Sequence, residues 1–164
     1  MSESPILNID DVEYTDWGHG EQFQARLAAV ATRLGAQKLG YRVVELPPGK
    51  CAWPFHAHHV NEEMFFVVEG SGTLRYGDDR FALNVGDIVC CPPKPQTAHQ
   101  IINTSQAPLK YLAVSTMEEP EVAVYPDSDK FGVIAGAPPG VDPARRRFVF
   151  FGREQSKLDY WDGE

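Results

Sequence analysis

Four residues in the middle of this chain have the types and order of a metal-ligand set. His56 and His58 are separated by one residue, and in an extended chain that spacing turns both imidazoles to the same face. Glu63 follows after a short polar stretch, His59-Val60-Asn61, whose turn lets the next strand carry the carboxylate back beside the two histidines. His99 comes from a separate strand further along. Three imidazoles and one carboxylate suit a divalent first-row metal such as zinc, manganese, iron or nickel, and no thiolate is needed. His59 alternates to the opposite face from His58 and reads as a surface residue. Glu62 is the competing carboxylate.

These residues resemble the two motifs of the cupin superfamily. Gly49, His56, His58, Glu63 and Gly70 follow the first, with six residues rather than five between Gly49 and His56; Gly86, Pro92, His99 and Asn103 follow the second. The second departs at residues 93–98, Pro-Lys-Pro-Gln-Thr-Ala, which are longer than usual and lack the customary glycine. The resemblance implies His56, His58, Glu63 and His99 as the metal ligands of an all-β jelly-roll barrel, the double-stranded β-helix. It also implies a changed path for the loop before His99. From about residue 35 onward, the runs LPPGK, NEEMFFVVEG, YPDSDK and YWDGE are similar to bacterial single-domain cupins, some of them loosely named sugar-phosphate isomerases. Those names rest on fold analogy, and fold alone does not settle a reaction.

The elements that must position the ligands are short strands separated by turn residues. Residues 39–46 read as a strand stopped by Pro47-Pro48-Gly49. Met64–Glu69 is apolar on both faces. Gly70-Ser71-Gly72 and Gly77-Asp78-Asp79 turn the chain into TLRY and RFALNV; 87–91, AHQIIN and LKYLAVST complete the barrel. Residues 21–34 fit either a short helix or a strand and turn. The expected organisation is an N-terminal arm at 1–38, the barrel at 39–117, and a C-terminal arm at 118–164. In that last arm VAVY adds a strand, Gly136–Gly140 forms a flexible loop, and Arg145-Arg146-Arg147 is a solvated run. The strand FVFF needs a sheet to pair with, and the extra strands of this arm are expected to pack on the barrel or on a partner subunit.

Composition narrows the classes. The chain has 164 residues, 43% of them hydrophobic, and a net charge of −8, which suits one domain with a sizeable core. The negative charge argues against nucleic acid and anionic membrane as partners, and no apolar run is long enough to span a bilayer. The N-terminus lacks the basic and apolar regions of a secretory signal, so the cytoplasm is expected. Cys51, Cys90 and Cys91 form no CxxC pair and read as reduced, small hydrophobes. Extended arms and open sheet edges point to a homodimer.

For function, a small-molecule substrate is expected. The favoured reading is a metal-dependent isomerase of a small sugar or sugar phosphate, with Tyr76 and Glu62 as candidates to move the proton and Arg75 or Lys94 as candidates to meet a phosphate. An iron-dependent dioxygenase would use the same ligands, and a non-catalytic binding barrel would keep the fold.

Overall fold

The computed structural model describes residues 4–136 and 147–164; the loop expected at 137–140 and two of the three arginines, Arg145 and Arg146, lie outside them. Among the described residues thirteen strands run in chain order: β1 (Thr15–His19), β2 (Phe23–Ala28), β3 (Leu39–Leu46), β4 (Ala57–His58), β5 (Glu63–Glu69), β6 (Gly72–Tyr76), β7 (Asp79–Leu83), β8 (Ile88–Cys91), β9 (His99–Ile102), β10 (Leu109–Thr116), β11 (Glu121–Tyr125), β12 (Lys130–Ala135) and β13 (Phe148–Gly152). One wall has the order β1-β2-β3-β10-β5-β8. The other consists of β7-β6-β9 and β13-β12-β11-β4, joined where His56, just before β4, pairs antiparallel with His99 at the start of β9. Each pairing between these strands is antiparallel, as in a double-stranded β-helix, and one isolated parallel bridge joins Phe23 to Cys51.

Period-two alternation builds the core between these walls. Val44 and Leu46 of β3, Leu109, Tyr111 and Ala113 of β10, Phe65 and Val67 of β5, and Val89 and Cys91 of β8 all point inward. Leu46, Val67 and Leu109 are fully buried, each contributing about 1.5–3 kcal/mol of apolar transfer free energy. Adjacency in a strand sends Cys91 to the core and leaves Cys90 exposed. A smaller cluster, Phe55, Ala57 and Ala98, packs beneath the histidine pair.

Residues 21–34 form strand β2 followed by a single helical turn, α1 (Val30–Arg33). The helix-spaced apolar residues of this stretch belong to a strand because β2 pairs with β3, and that long-range pairing overrides the local pattern. FVFF has its partner in the same chain: β13 pairs with β12 from Phe131↔Gly152 to Ala135↔Phe148. Of the two expected partners for FVFF, this chain's own strands and a second subunit, the first is the one paired here, because the preceding KFGVIA segment is itself a strand. Among the described residues no helix is long and apolar enough to cross a membrane.

Two motif residues have clear mechanical roles. Gly70 has φ +79°, and a Cβ there would collide with the Pro108 carbonyl, so the turn into β6 requires glycine. Asn103 is fully buried. Its amide donates to the carbonyls of Leu46 and Ala107, both at 2.8 Å, and its carbonyl oxygen accepts from the Ser105 backbone and hydroxyl at 3.0 and 2.8 Å. It thereby ties the end of β3 to the turn leading into β10. Asn103→Ala should cost about 2–3 kcal/mol by stranding buried carbonyls, read as a lower urea midpoint with an unchanged slope.

Candidate metal centre

The pairing of His56 with His99 brings the first ligands together. Backbone hydrogen bonds run both ways between the two residues, His56 N to His99 O at 3.2 Å and His99 N to His56 O at 2.8 Å. Their ring centroids are consequently 4.8 Å apart. His58 lies on the same face as His56, with centroids 5.0 Å apart, while His59 is exposed. Glu63 opens β5 on the opposite wall. Its Oε2 meets the Nε2 atoms of His99, His58 and His56 at 2.9, 3.3 and 3.9 Å.

The outer ring nitrogens explain why the inner ones converge. His56 Nδ1 lies 2.8 Å from the Pro54 carbonyl, and His99 Nδ1 lies 3.0 Å from the Thr97 carbonyl. A carbonyl can only accept, so each Nδ1 must donate, which leaves each Nε2 as the inward nitrogen: that of His99 donates to Glu63 in the absence of a metal, and a bound metal would take its lone pair in place of that proton. The departure at 93–98 supplies one of these anchors. A 3₁₀ turn at Pro95–Thr97 is closed by the Thr97 hydroxyl, which lies 2.6 Å from the Pro92 carbonyl and 2.7 Å from that of Lys94.

His58 has a different anchor, one the sequence did not signal. Its Nδ1 lies 3.3 Å from Oε2 of Glu121, a fully buried carboxylate on β11. Glu121 also accepts from the backbone N–H groups of His59, Val60 and Asn61 at 3.3, 3.3 and 3.0 Å and from the Asn61 side chain. Asn61 in turn donates to the Glu118 carbonyl at 2.9 Å and accepts from the Thr116 hydroxyl at 3.0 Å. The turn between His58 and Glu63 is therefore held around one buried carboxylate.

Burial opposes a charge on His58, but the carboxylates of Glu121 and Glu63 on its two sides outweigh burial and push its pKa up to about 10. For His56, burial and then the neighbouring His99 push it down to about 4. Burial also works against the Glu63 charge, yet contact with His58 and His99 holds its carboxyl well below the usual range. The ionic contacts of His58 are not aligned as hydrogen bonds: both of its ring nitrogens are buried without a hydrogen-bond partner.

That unsatisfied inward nitrogen is the observation against which a metal can be tested. Donors bound at about 2.1 Å to one ion stand about 3–3.5 Å apart, close to the separations from Glu63 Oε2. The donor atoms of His56, His58 and Glu63 all lie within 4.8 Å of one another; His99 is outside that group of three but touches its Glu63 at 2.9 Å. The residues present fit a divalent metal, with Glu121 as the outer partner that orients His58. Cys91, opposite Glu63 in the register, adds nothing to the set. Burial and the Glu63 charge push its thiol up, so it stays protonated.

The remaining candidates fall in three places. Glu62 is exposed on the outer side of β5, where its carboxylate accepts from the Cys90 thiol at 3.4 Å. Tyr76 is half-buried, opposite His99 in the register and packed against the core. Arg75 is already committed, bidentate to Asp127 at 2.6 and 2.8 Å, and Lys94 is exposed. Sequence reasoning missed Tyr125, whose ring stacks on His56 with centroids 6.0 Å apart. Beside His56 and His99 opens a narrow cleft, with room in this conformation for about one water molecule and walled by Trp53, Phe65, Gln100 and Tyr111.

Metal analysis should find occupancy lowered in His58→Ala, His99→Ala and Glu63→Gln and unchanged in His59→Ala. Because His58 keeps its proton up to about pH 10, a metal must displace that proton. Apparent affinity, measured by chelator competition, should therefore rise about tenfold per pH unit between roughly pH 7 and 9, and fall as pH drops.

The family described as Cupin domain matches residues 42–115. An uncharacterized protein of Methanocaldococcus jannaschii is 37% identical over 60 residues, which is 37% of this chain and 46% of that relative; the match spans less than half of the relative's length. Among solved structures, a provisionally named sugar phosphate isomerase of Acidithiobacillus ferrooxidans superposes with a TM-score of 0.76 at 21% identity, over 94% of this chain and 96% of its own. A protein of Silicibacter pomeroyi, described as a sugar phosphate isomerase from a cupin superfamily, gives 0.75 at 23% identity, over 96% and 98%. At such identities the likeness carries the fold and not the reaction. Motif residues and barrel topology coincide with the family match: residues 42–115 are similar to the Cupin domain, and the fold is the cupin double-stranded β-helix.

Proposed function

We propose that this chain is a metal-dependent isomerase of a small sugar or sugar phosphate, with His56, His58, Glu63 and His99 as the metal ligands. The observation that carries the reading is the convergence of three Nε2 atoms on one Glu63 oxygen beside a cleft lined by His56 and His99. The names of the two structures that align with almost the whole chain lean the same way. Residues 39–117 act as the barrel that holds the ligands. The flanking arms support it, and the C-terminal one contributes Glu121 and Tyr125.

A divalent metal held there would polarise adjacent oxygens of the substrate. The chain's own groups would place the substrate and manage its protons. Trp53, Phe65 and Tyr111 wall the cleft and limit water around the reacting carbons. Burial, then the charges of Glu121 and Glu63, push the Tyr125 phenol up; burial does the same for Tyr76. Both are therefore suited to hold a proton for a substrate oxygen rather than to abstract one from carbon at neutral pH. Glu62 is exposed, accepts from the Cys90 thiol and is not among the residues lining the cleft.

One observation favours a second reading. The cleft lining includes no carboxylate, and Glu63 is used as a ligand. An iron-dependent dioxygenase, whose chemistry needs no separate protein base, would tolerate that lining.

In deuterated water, metal-loaded protein should interconvert an aldose or its phosphate with the ketose and place deuterium in the product. Chelation and Glu63→Gln should abolish turnover, and Tyr125→Phe should lower kcat about tenfold or more. Uptake of oxygen in place of isomerisation would select the second reading.

The chain's partner in this proposal is a second copy. Phe148, Val149, Phe150 and Phe151 of edge strand β13 are exposed, as are Leu158, Tyr160 and Trp161, and an uncovered apolar edge is a surface that proteins pair or cover. Light scattering at micromolar concentration should give a dimer mass. Acidic composition and free thiols suit a cytoplasmic setting.

A further inference from the structure

Arg42 has the position of a functional residue that neither the motifs nor the metal site accounts for. It lies on β3 in register with Ala113 of β10, which pairs in turn with Phe65 of β5. Alternation along β3 turns Arg42 to the same side as Val44 and Leu46, the side of the core. Its guanidinium stands 5.8 Å from the centre of the Trp53 ring, and Trp53 walls the cleft beside the metal ligands.

The other well-placed guanidinium groups have partners. Arg26 is paired with Glu45 at 2.9 Å, Arg75 is bidentate to Asp127, and Arg153 donates to the Ser128 carbonyl at 3.2 Å. Arg42 has no carboxylate within 4.0 Å and makes no hydrogen bond among the described residues. Burial pulls its pKa below the usual arginine range, with the charge of Glu63 and the Tyr111 phenol acting on it in the opposite direction. Arg42 is half-buried and its guanidinium still reaches solvent, so with no anion beside it the group is placed to receive one. The planar fork of a guanidinium matches a carboxylate or a phosphate, two oxygens at a time.

We infer that Arg42, beside Trp53 though not itself a lining residue of the cleft, is the anion-binding group next to it, receiving the carboxylate or phosphate of a small substrate whose other end reaches the His56–His99 side. This rests on the proposed small-molecule function of the same site and narrows its substrate to an oxyanion-bearing one. It also reassigns the phosphate contact from Arg75 and Lys94 to an inward-facing residue. Trp53 would hold the guanidinium plane in place.

The test is calorimetric titration of zinc-loaded wild type, Arg42→Gln and Arg42→Lys with inorganic phosphate and, separately, malonate. At least one anion should bind the wild type; Arg42→Gln should weaken it about tenfold or more, and Arg42→Lys should recover part of the loss. The tighter of the two anions identifies the chemical class. The inference is overturned if neither anion binds wild type, or if Arg42→Gln binds as tightly as wild type. It is equally overturned if Arg42→Gln loses zinc or thermal stability along with the anion, which would make the arginine structural. Because binding is read without turnover, Arg42-dependent anion binding in a protein that isomerises nothing would remove the isomerase reading alone.

Discussion

The two backbone hydrogen bonds between His56 and His99 are the constraint on which the rest of the molecule depends. They join the two pieces of one wall, β7-β6-β9 and β13-β12-β11-β4, and thereby close the barrel. Because paired residues on neighbouring strands project their side chains to the same face, the same two bonds set both imidazoles side by side. Closure of the fold and assembly of the site are one event. Glu63 then arrives from the opposite wall, held by the pairing of β5 with β10 and β8.

Polar groups this deep would ordinarily oppose folding. The barrel accommodates them by giving nearly every one a partner. The Pro54 and Thr97 carbonyls take the outer nitrogens of His56 and His99. Glu121 collects the backbone donors of the 59–61 turn, and Asn61 ties that turn to the exit of β10. What remains unmatched is instructive. Among the described residues the buried side-chain atoms without a hydrogen bond are the two His58 nitrogens and the Tyr14 hydroxyl. Tyr14 lies by Arg26, away from the ligands, whereas His58 faces Glu63, where a metal would complete it, and an unsatisfied buried group at such a point is a hint of function rather than of poor packing.

The asymmetry between the two ends of the barrel follows from its side chains. Toward Leu46, Val67 and Leu109 the interior is filled with fully buried aliphatic residues and leaves no room for a ligand. Toward His56 and His99 the aromatic rings of Trp53, Phe65 and Tyr111 bound a cleft. Flat rings cannot interdigitate as branched side chains do. The packed end supplies the stability, and the aromatic end supplies the opening.

Much of this was legible in the sequence because it depends on local rules. Period-two alternation and turn residues marked β3, β5, β6, β8, β9 and β10. The His-x-His spacing placed His56 and His58 on one face, and the order of the motifs named all four residues that the fold brings together. The rest depended on register between distant segments. β12 went unread and left FVFF without its in-chain partner; β2 was ambiguous because its apolar residues satisfy two periods. Glu121, Tyr125 and Arg42 are unremarkable in the sequence. Glu121 meets His58 across an interval of about sixty residues, Tyr125 reaches His56 only through the pairing of β11 with β4, and Arg42 sits by Trp53 only because β3 is fixed against β10. Sequence spacing decides which face a side chain occupies; only the tertiary pairing of strands decides what stands opposite it, and hence which charges are matched and which are left for a ligand.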